Sequence, residues 1–230
     1  MRPLLLDLFC CEGGAATGYY RAGFDIIGVD IDPQPRYPFP FIQGDALELL
    51  GNRYFLNRLR PAAIHASPPC QLYSMATVMH DRSVYPDLVE PTRNLLMETR
   101  LPWVIENVPG APLVEVGSMT FDGRSAIMLC GSMFGMRRVR RHRIFETNWG
   151  LTSTMRCRHE EQSDVMSIVG HGEQGRSGHT GPLWNVDARR DAMGMPWATR
   201  DGLSEAIPPA YTEHIGTQLL NHLTTDKENR

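Results

Sequence analysis

No stretch of this 230-residue chain approaches the ~20 consecutive apolar residues that cross a bilayer. The opening "MRPLLLDLFCCEGG" runs into glycines and an acid where a signal peptide would carry its cleavage site. A cytoplasmic protein without a membrane partner is therefore expected. The five cysteines, Cys10, Cys11, Cys70, Cys130 and Cys157, are odd in number, include no C-x-x-C pair and follow no regular spacing. That argues against a disulfide framework and against a zinc site, so reduced thiols and no metal are expected. The formal net charge is only −3, which speaks against binding nucleic acid by bulk charge. The G-x-G-x-x-G fingerprint is also missing, so a nicotinamide enzyme is not favoured over one using another nucleotide-like cofactor. No internal repeat is present.

What is there is a chain that is 42% hydrophobic, enough for one substantial core. Short apolar runs read as strands at "LLLDLF" (4–9), "DIIGVDID" (25–32), "FIQGDA" (41–46), "AAIHAS" (62–67), "WVIENV" (103–108), "AIMLCG" (126–131) and "RIFET" (143–147). Helical patterns fall between them at "AATGYYRAGF", at "ALELLGNRYFLNRL" and at "DLVEPTRNLLMETR", where Pro91 suits a first turn. Alternating β and α units with apolar strands predict a mostly parallel sheet covered on both faces. Function in such sheets collects in the loops after the strands' carboxyl ends. Residues 148–187, rich in Gly, Ser, Thr and His, read as a small lobe or long loop. "DARRDAMGM" and "IPPAYTEHIGTQLLNHL" turn helical again, and "TTDKENR" reads as a frayed tail.

Four features coincide at predicted strand ends. Gly13 and Gly14 permit a tight turn and close approach of backbone to a ligand. Asp30 ends the second strand, where a carboxylate can accept from ribose hydroxyls, and Asp45 ends the third. Capping a helix or turn is an equally open role for either aspartate. In "SPPC" the prolines make a stiff bend that aims the Cys70 side chain out of a strand end, as a nucleophile requires. Glu106 emerges after Trp103, Val104 and Ile105, where apolar neighbours can hold a carboxyl protonated near neutrality. Finally, "GMRRVRRHR" (135–143) gathers Arg137, Arg138, Arg140, Arg141 and Arg143 into a short cationic run.

Together these segments resemble the S-adenosylmethionine-dependent C5-cytosine DNA methyltransferases of compact phage and bacterial type. "DLFCCEGG", "GVDID", "GDA", "SPPCQLYS", "IENV", "RRHRIF" and "IPPAYTEHIGTQLL" are similar to successive motifs of that family and occur in its order. The resemblance implies a Rossmann-like class I methyltransferase fold with a reduced recognition lobe. A catalytic domain would span 1–147, a target-recognition lobe 148–187, returning helices 188–223 and a tail 224–230. It implies S-adenosylmethionine as cofactor, S-adenosylhomocysteine as product, and no metal. Phe9, Gly13, Gly14, Asp30, Ile31, Asp45, Ala46 and Pro69 would line the cofactor site, with Asp30 on the ribose and Asp45 near the adenine amine.

Under the same resemblance Cys70 would add to cytosine C6 and Glu106 would hydrogen-bond or protonate N3. Asn107 would brace the catalytic loop, and Arg141 and Arg143 would hold the flipped nucleotide. Arg137, Arg138, Arg140, Gln71 and Ser74 would contact the nucleic acid. With an ordinary thiol pKa of ~8.5, Cys70 would be mostly protonated at pH 7, so local activation is expected. A monomer is expected; whether a partner restriction endonuclease exists is left open. Cys11 stands where the family usually has glycine and Val139 where it usually has glutamine. His159, His171 and His179 are irregularly spaced, with Cys157 nearby. Other readings stay open: the same chemistry on tRNA or free cytosine nucleotides, a DNA-binding relative without catalysis, or a cysteine hydrolase pairing Cys70 with His65 or His80.

Overall fold

The computed structural model describes residues 2–74, 84–166, 168 and 185–228. Its centre is a seven-stranded sheet in the order β3-β2-β1-β4-β5-β7-β6. The strands are β1 (Leu4–Leu8), β2 (Asp25–Asp30), β3 (Phe41–Gln43), β4 (Ala63–Ala66), β5 (Trp103–Asn107), β6 (Ser125–Leu129) and β7 (Arg143–Thr147). All neighbouring pairs from β3 to β5 are parallel, whereas β7 runs antiparallel to both β5 and β6. The predicted sheet is thus present, with one reversed strand.

The strands are apolar because both faces are covered. Leu5 points into a cluster with Tyr19, Phe24, Ile26, Tyr211 and Ile215. Leu6 and Leu8 point the opposite way, against Val29, Ile64, Leu96 and Trp103. On the first face lie α1 (Gly14–Ala22) and α7 (Pro209–Glu228), and on the second lie α2 (Ala46–Gly51), α3 (Arg53–Leu59) and α4 (Val89–Thr99). The two sets of side chains alternate along each strand, as the twofold period of an extended chain demands.

Three expectations need correction. The helix predicted across "ALELLGNRYFLNRL" is two helices, broken where Asn52 is extended and its side chain accepts from Phe55 N at 3.0 Å, capping α3. The tail expected to fray from 224 instead continues α7 to Glu228. A short helix, α6 (Arg200–Glu205), lies between α5 (Val186–Met193) and α7, where no element was predicted. It is capped by Thr199, whose hydroxyl accepts from Gly202 N at 3.0 Å.

Segment 148–166 has no regular structure beyond a single 3-10 turn, His159–Glu161. Much of the Gly/His-rich stretch, with His171 and His179, falls outside the described residues, as does His80. A third apolar cluster, including Val139, Met166, Ile168, Met195 and Leu203, joins this region to α5 and α6. Elsewhere Glu146, fully buried on β7, is gripped by Arg93 of α4 at 2.8 and 2.9 Å and by Arg124 at 3.2 Å. No helix among the described residues is long and apolar enough to cross a membrane.

Candidate active site

The sheet order reverses between β1 and β4, and the carboxyl ends of these two strands flank the switch point where open α/β sheets have their binding crevice. After β1 the chain turns sharply. Phe9 and Cys11 take positive φ of 58° and 43°, and Gly13 follows at 81°. Cys11 thus holds a left-handed conformation that glycine adopts without strain. Gly13 caps α1 without a side chain, and the first turn of α1 contains no acid. The leading N–H groups of α1 are oriented toward the turn with the positive end of the helix dipole behind them.

The glycine requirement at Gly14 comes from the fold: a Cβ there would lie 2.3 Å from the Ile207 carbonyl oxygen. Its close approach is therefore to the chain's own C-terminal segment. The same segment is clamped by Glu12, whose carboxylate accepts from Thr199 N at 2.6 Å and from the Thr199 hydroxyl at 2.7 Å.

Asp30 is buried at the end of β2 and accepts from Cys11 N at 2.9 Å on Oδ2 and from Asp32 N at 3.1 Å on Oδ1. It ties the β1 turn to β2, and each carboxylate oxygen retains a second lone-pair site. Ile31 beside it is 64% exposed, an apolar surface at the crevice edge. Asp45 is exposed and caps α2, with Oδ1 accepting from Leu47 N at 2.7 Å and Glu48 N at 3.1 Å. The capping role left open for Asp45 is the one it performs here, and Ala46 is buried as the first residue of α2.

Across the crevice, β4 delivers "SPPC". Its carbonyl at Pro68 accepts from Asn107 Nδ2 at 2.9 Å, so Asn107 at the end of β5 holds the proline bend. After Pro69 and Cys70 the chain makes one turn through Gln71, closed by Tyr73 N and Ser74 N on the Cys70 carbonyl at 3.0 and 2.9 Å. Glu106 precedes Asn107 on β5. Because β7 is antiparallel, Glu106 pairs with Phe145 and Asn107 with Ile144, which brings the start of β7 back to the same edge. Arg143 Nε accordingly stands 2.8 Å from Glu106 Oε1. The N–H is misaligned, and this buried oxygen has no hydrogen-bond partner among the described residues.

Electrostatically the pocket is divided. Burial raises the Glu106 carboxyl above its ordinary value, with Arg143, Arg141 and the Ser67 hydroxyl opposing it. Burial likewise raises the Cys70 thiol, against the pull of Arg143 and Arg141. The expected local activation of Cys70 is therefore not present at rest: desolvation outweighs two guanidinium groups. Arg141 lies near both Cys70 and Glu106 and also has a structural role. It is buried, with Nη1 donating to Ile168 O at 2.8 Å and Nη2 to Ser204 O at 2.6 Å, so it ties the lobe to α6. Arg137, Arg138 and Arg140 are exposed, and Arg140 donates to Gln162 Oε1 at 3.0 Å.

One group of residues went unread in the sequence. Tyr19 hydroxyl stands 3.0 Å from His65 Nδ1, His65 Nε2 stands 2.8 Å from Ser67 Oγ, and Ser67 reaches Glu106. The signal was available: in "AIHAS" His65 and Ser67 share one strand face, which is the face Glu106 uses on β5. His65 lies in β4, as expected, and packs on Tyr19. Asp7, on the same face, is pushed up to about 8 by burial while Tyr37 hydroxyl donates to it at 3.3 Å.

No described protein family matches the chain by its sequence profile, and no curated protein sequence matches it. Solved structures do. A protein described as a DNA modification methyltransferase encoded within a prophage of E. coli superposes with a TM-score of 0.62 at 15% identity, over 96% of this chain and 99% of that one. The methyltransferase EhMeth of Entamoeba histolytica gives 0.59 at 12% identity, over 98% and 99%. The Dnmt2 methyltransferase of S. pombe gives 0.58 at 13%, over 97% and 99%. The chain has the methyltransferase fold. The resemblance read from the motifs is borne out at that level, and the methyltransferase fold extends over almost the entire chain, including α7.

Proposed function

We propose that this chain is a DNA methyltransferase that transfers a methyl group from S-adenosylmethionine to C5 of cytosine. The observation that carries the reading is the convergence of Cys70, Glu106 and Arg143 from three separate strand ends, with Asn107 fixing the Pro68 carbonyl at 2.9 Å. A cysteine hydrolase would need an imidazole beside the thiol; His65 is instead bonded to Tyr19 and Ser67.

The crevice between β1 and β4 suits the cofactor. Uncapped N–H groups at the start of α1 fit a carboxylate, the remaining lone pairs of Asp30 fit ribose hydroxyls, and exposed Ile31 fits the flat face of a purine. S-adenosylmethionine, when bound, supplies an electrophilic methyl group on sulfur.

The chain's own residues do the rest. Cys70 would lose its proton to water and its sulfur would add to C6 of the flipped base. Glu106, which burial pushes toward its protonated form, would donate its proton to N3 as the electron pair of the C5=C6 bond becomes available at C5. C5 would take the methyl group, the S–CH3 bond breaking to leave S-adenosylhomocysteine; water would take the C5 proton, N3 would return its proton to Glu106, and the C5=C6 bond would re-form as the Cys70 thiolate leaves. Because the thiol rests protonated, its ionisation belongs to the bound state, where the base excludes water and Arg143 stands nearby. Arg137, Arg138 and Arg140 serve the phosphate backbone. Arg141 acts as a structural tie that keeps Arg143 in place.

A DNA substrate is supported by the arginine run and by the similarity to the prophage protein described as a DNA modification methyltransferase. The test is mass spectrometry of nucleosides from unmethylated duplex DNA, and separately from tRNA, incubated with the protein and S-adenosylmethionine. The expected result is 5-methylcytosine in DNA with the wild type and none with Cys70→Ala. Cofactor binding without DNA methylation overturns the substrate, and product formed by Cys70→Ala overturns the mechanism.

A further inference from the structure

Beside the arginine run lies a cluster that the methyl-transfer chemistry does not use. Cys130 follows β6 and is fully buried; His142 sits between Arg141 and Arg143; Cys157 and His159 come from the irregular segment after β7. One ligand atom from each lies within 4.8 Å of all the others. Cys130 Sγ is 3.4 Å from His159 Nε2, and Cys157 Sγ is 3.5 Å from His142 Nε2. Tetrahedral zinc, with Zn–S about 2.3 Å and Zn–N about 2.0–2.1 Å, has S···N edges of about 3.6 Å. The two imidazoles meet edge to face, at 85° with centroids 5.1 Å apart, so they approach a common point without stacking.

We propose that Cys130, His142, Cys157 and His159 form a structural zinc site. Two thiolates and two imidazoles are a donor set that selects zinc, and four protein ligands leave no open position for a reacting water. Binding Zn²⁺ displaces one proton from each thiol, and the resulting centre is neutral. Outer contacts are in place: Ser132 Oγ donates to Cys130 Sγ at 3.4 Å and accepts from Arg158 N at 3.1 Å. The location gives the metal a purpose. Segment 148–158 has no regular hydrogen-bonded structure of its own, and the site staples it to β6 and to the chain carrying Arg143. The ligands come from three distant places in the sequence, so spacing alone did not reveal them; the expectation of no metal rested on that spacing.

The experiment measures zinc in the full-length protein by elemental analysis, then titrates chelator-treated protein with Zn²⁺ or Co²⁺. One equivalent of zinc per chain is expected, with a rise in melting temperature on reloading. Co²⁺ is expected to produce the intense visible absorption of a tetrahedral thiolate site. Cys157→Ser and His159→Gln are expected to lose the metal at least tenfold, while Cys70→Ala keeps one equivalent. The wild-type titration stands even where a ligand variant misfolds. Wild type that takes up neither metal stoichiometrically overturns the proposal. So does a thiol count, in denaturant without reductant, showing Cys130 and Cys157 joined as a disulfide.

Discussion

At the scale of single residues, Glu106 is tuned by a line of hydrogen bonds that runs away from the crevice. Burial pushes His65 down to about 3 and pushes Tyr19 well above its ordinary value, so both are neutral near pH 7. With the Ser67 hydroxyl donating to Glu106, Ser67 accepts from His65 Nε2–H, and Nδ1 is left to accept from the Tyr19 hydroxyl. The Ser67 donor favours the carboxylate, yet desolvation is the larger effect and the net shift is upward. In the proposed reaction Glu106 must be protonated, so activity falls as pH rises through its folded value. Ser67→Ala removes the donor and is expected to move that falling limb of kcat/KM to higher pH. Glu106→Gln is expected to erase the limb and lower the rate about 10²-fold or more. An unchanged pH profile in Ser67→Ala would show that the hydroxyl does not act on Glu106.

At the scale of elements, the crevice depends on how closely α7 lies on α1. The contact is made at two glycines. A Cβ on Gly18 would stand 2.1 Å from Thr212 Oγ1 and 2.2 Å from the Pro209 carbonyl oxygen, and one on Gly216 would stand 2.7 Å from Ala22 Cβ. Thr212 hydroxyl also donates to the Ala15 carbonyl at 2.8 Å, so the helices are bonded where they touch. Gly18→Ala must push backbone apart and is expected to destabilise by about 3 kcal/mol in denaturant unfolding. Gly51→Ala is the internal comparison: it too lies in a helix, as the last residue of α2, but its Cβ would meet only Leu95 Cδ2 at 3.7 Å. That change is expected to be neutral or stabilising by about 0.5–1 kcal/mol. Equal losses at both positions would mean that propensity, not the crossing, sets the cost.

At the scale of the whole molecule, the sheet was legible because its strands are buried on both faces and read as unbroken apolar runs between glycines and prolines. The candidate site was legible where one local segment holds its chemistry, as at Cys70, Glu106 and Asn107. Partnerships across distance were not: Arg93 with Glu146, Arg141 with the carbonyls of Ile168 and Ser204, and the Cys/His cluster all join groups remote in sequence. The arginine run shows both limits. A net charge of −3 means a grip on DNA has to be local, and this stripe is a dense local candidate, yet its members divide, with Arg141 buried in structure and Arg137 and Arg138 exposed. Each phosphate neutralised steepens the fall of log K with log salt by about 0.9. The double variant Arg137→Ala/Arg138→Ala is therefore expected to weaken duplex binding and reduce that slope by up to about 2, with the melting temperature unchanged because neither side chain is in the core. A slope that stays the same would place the duplex on another face, leaving Cys70 and Glu106 to a substrate too small to need a phosphate track.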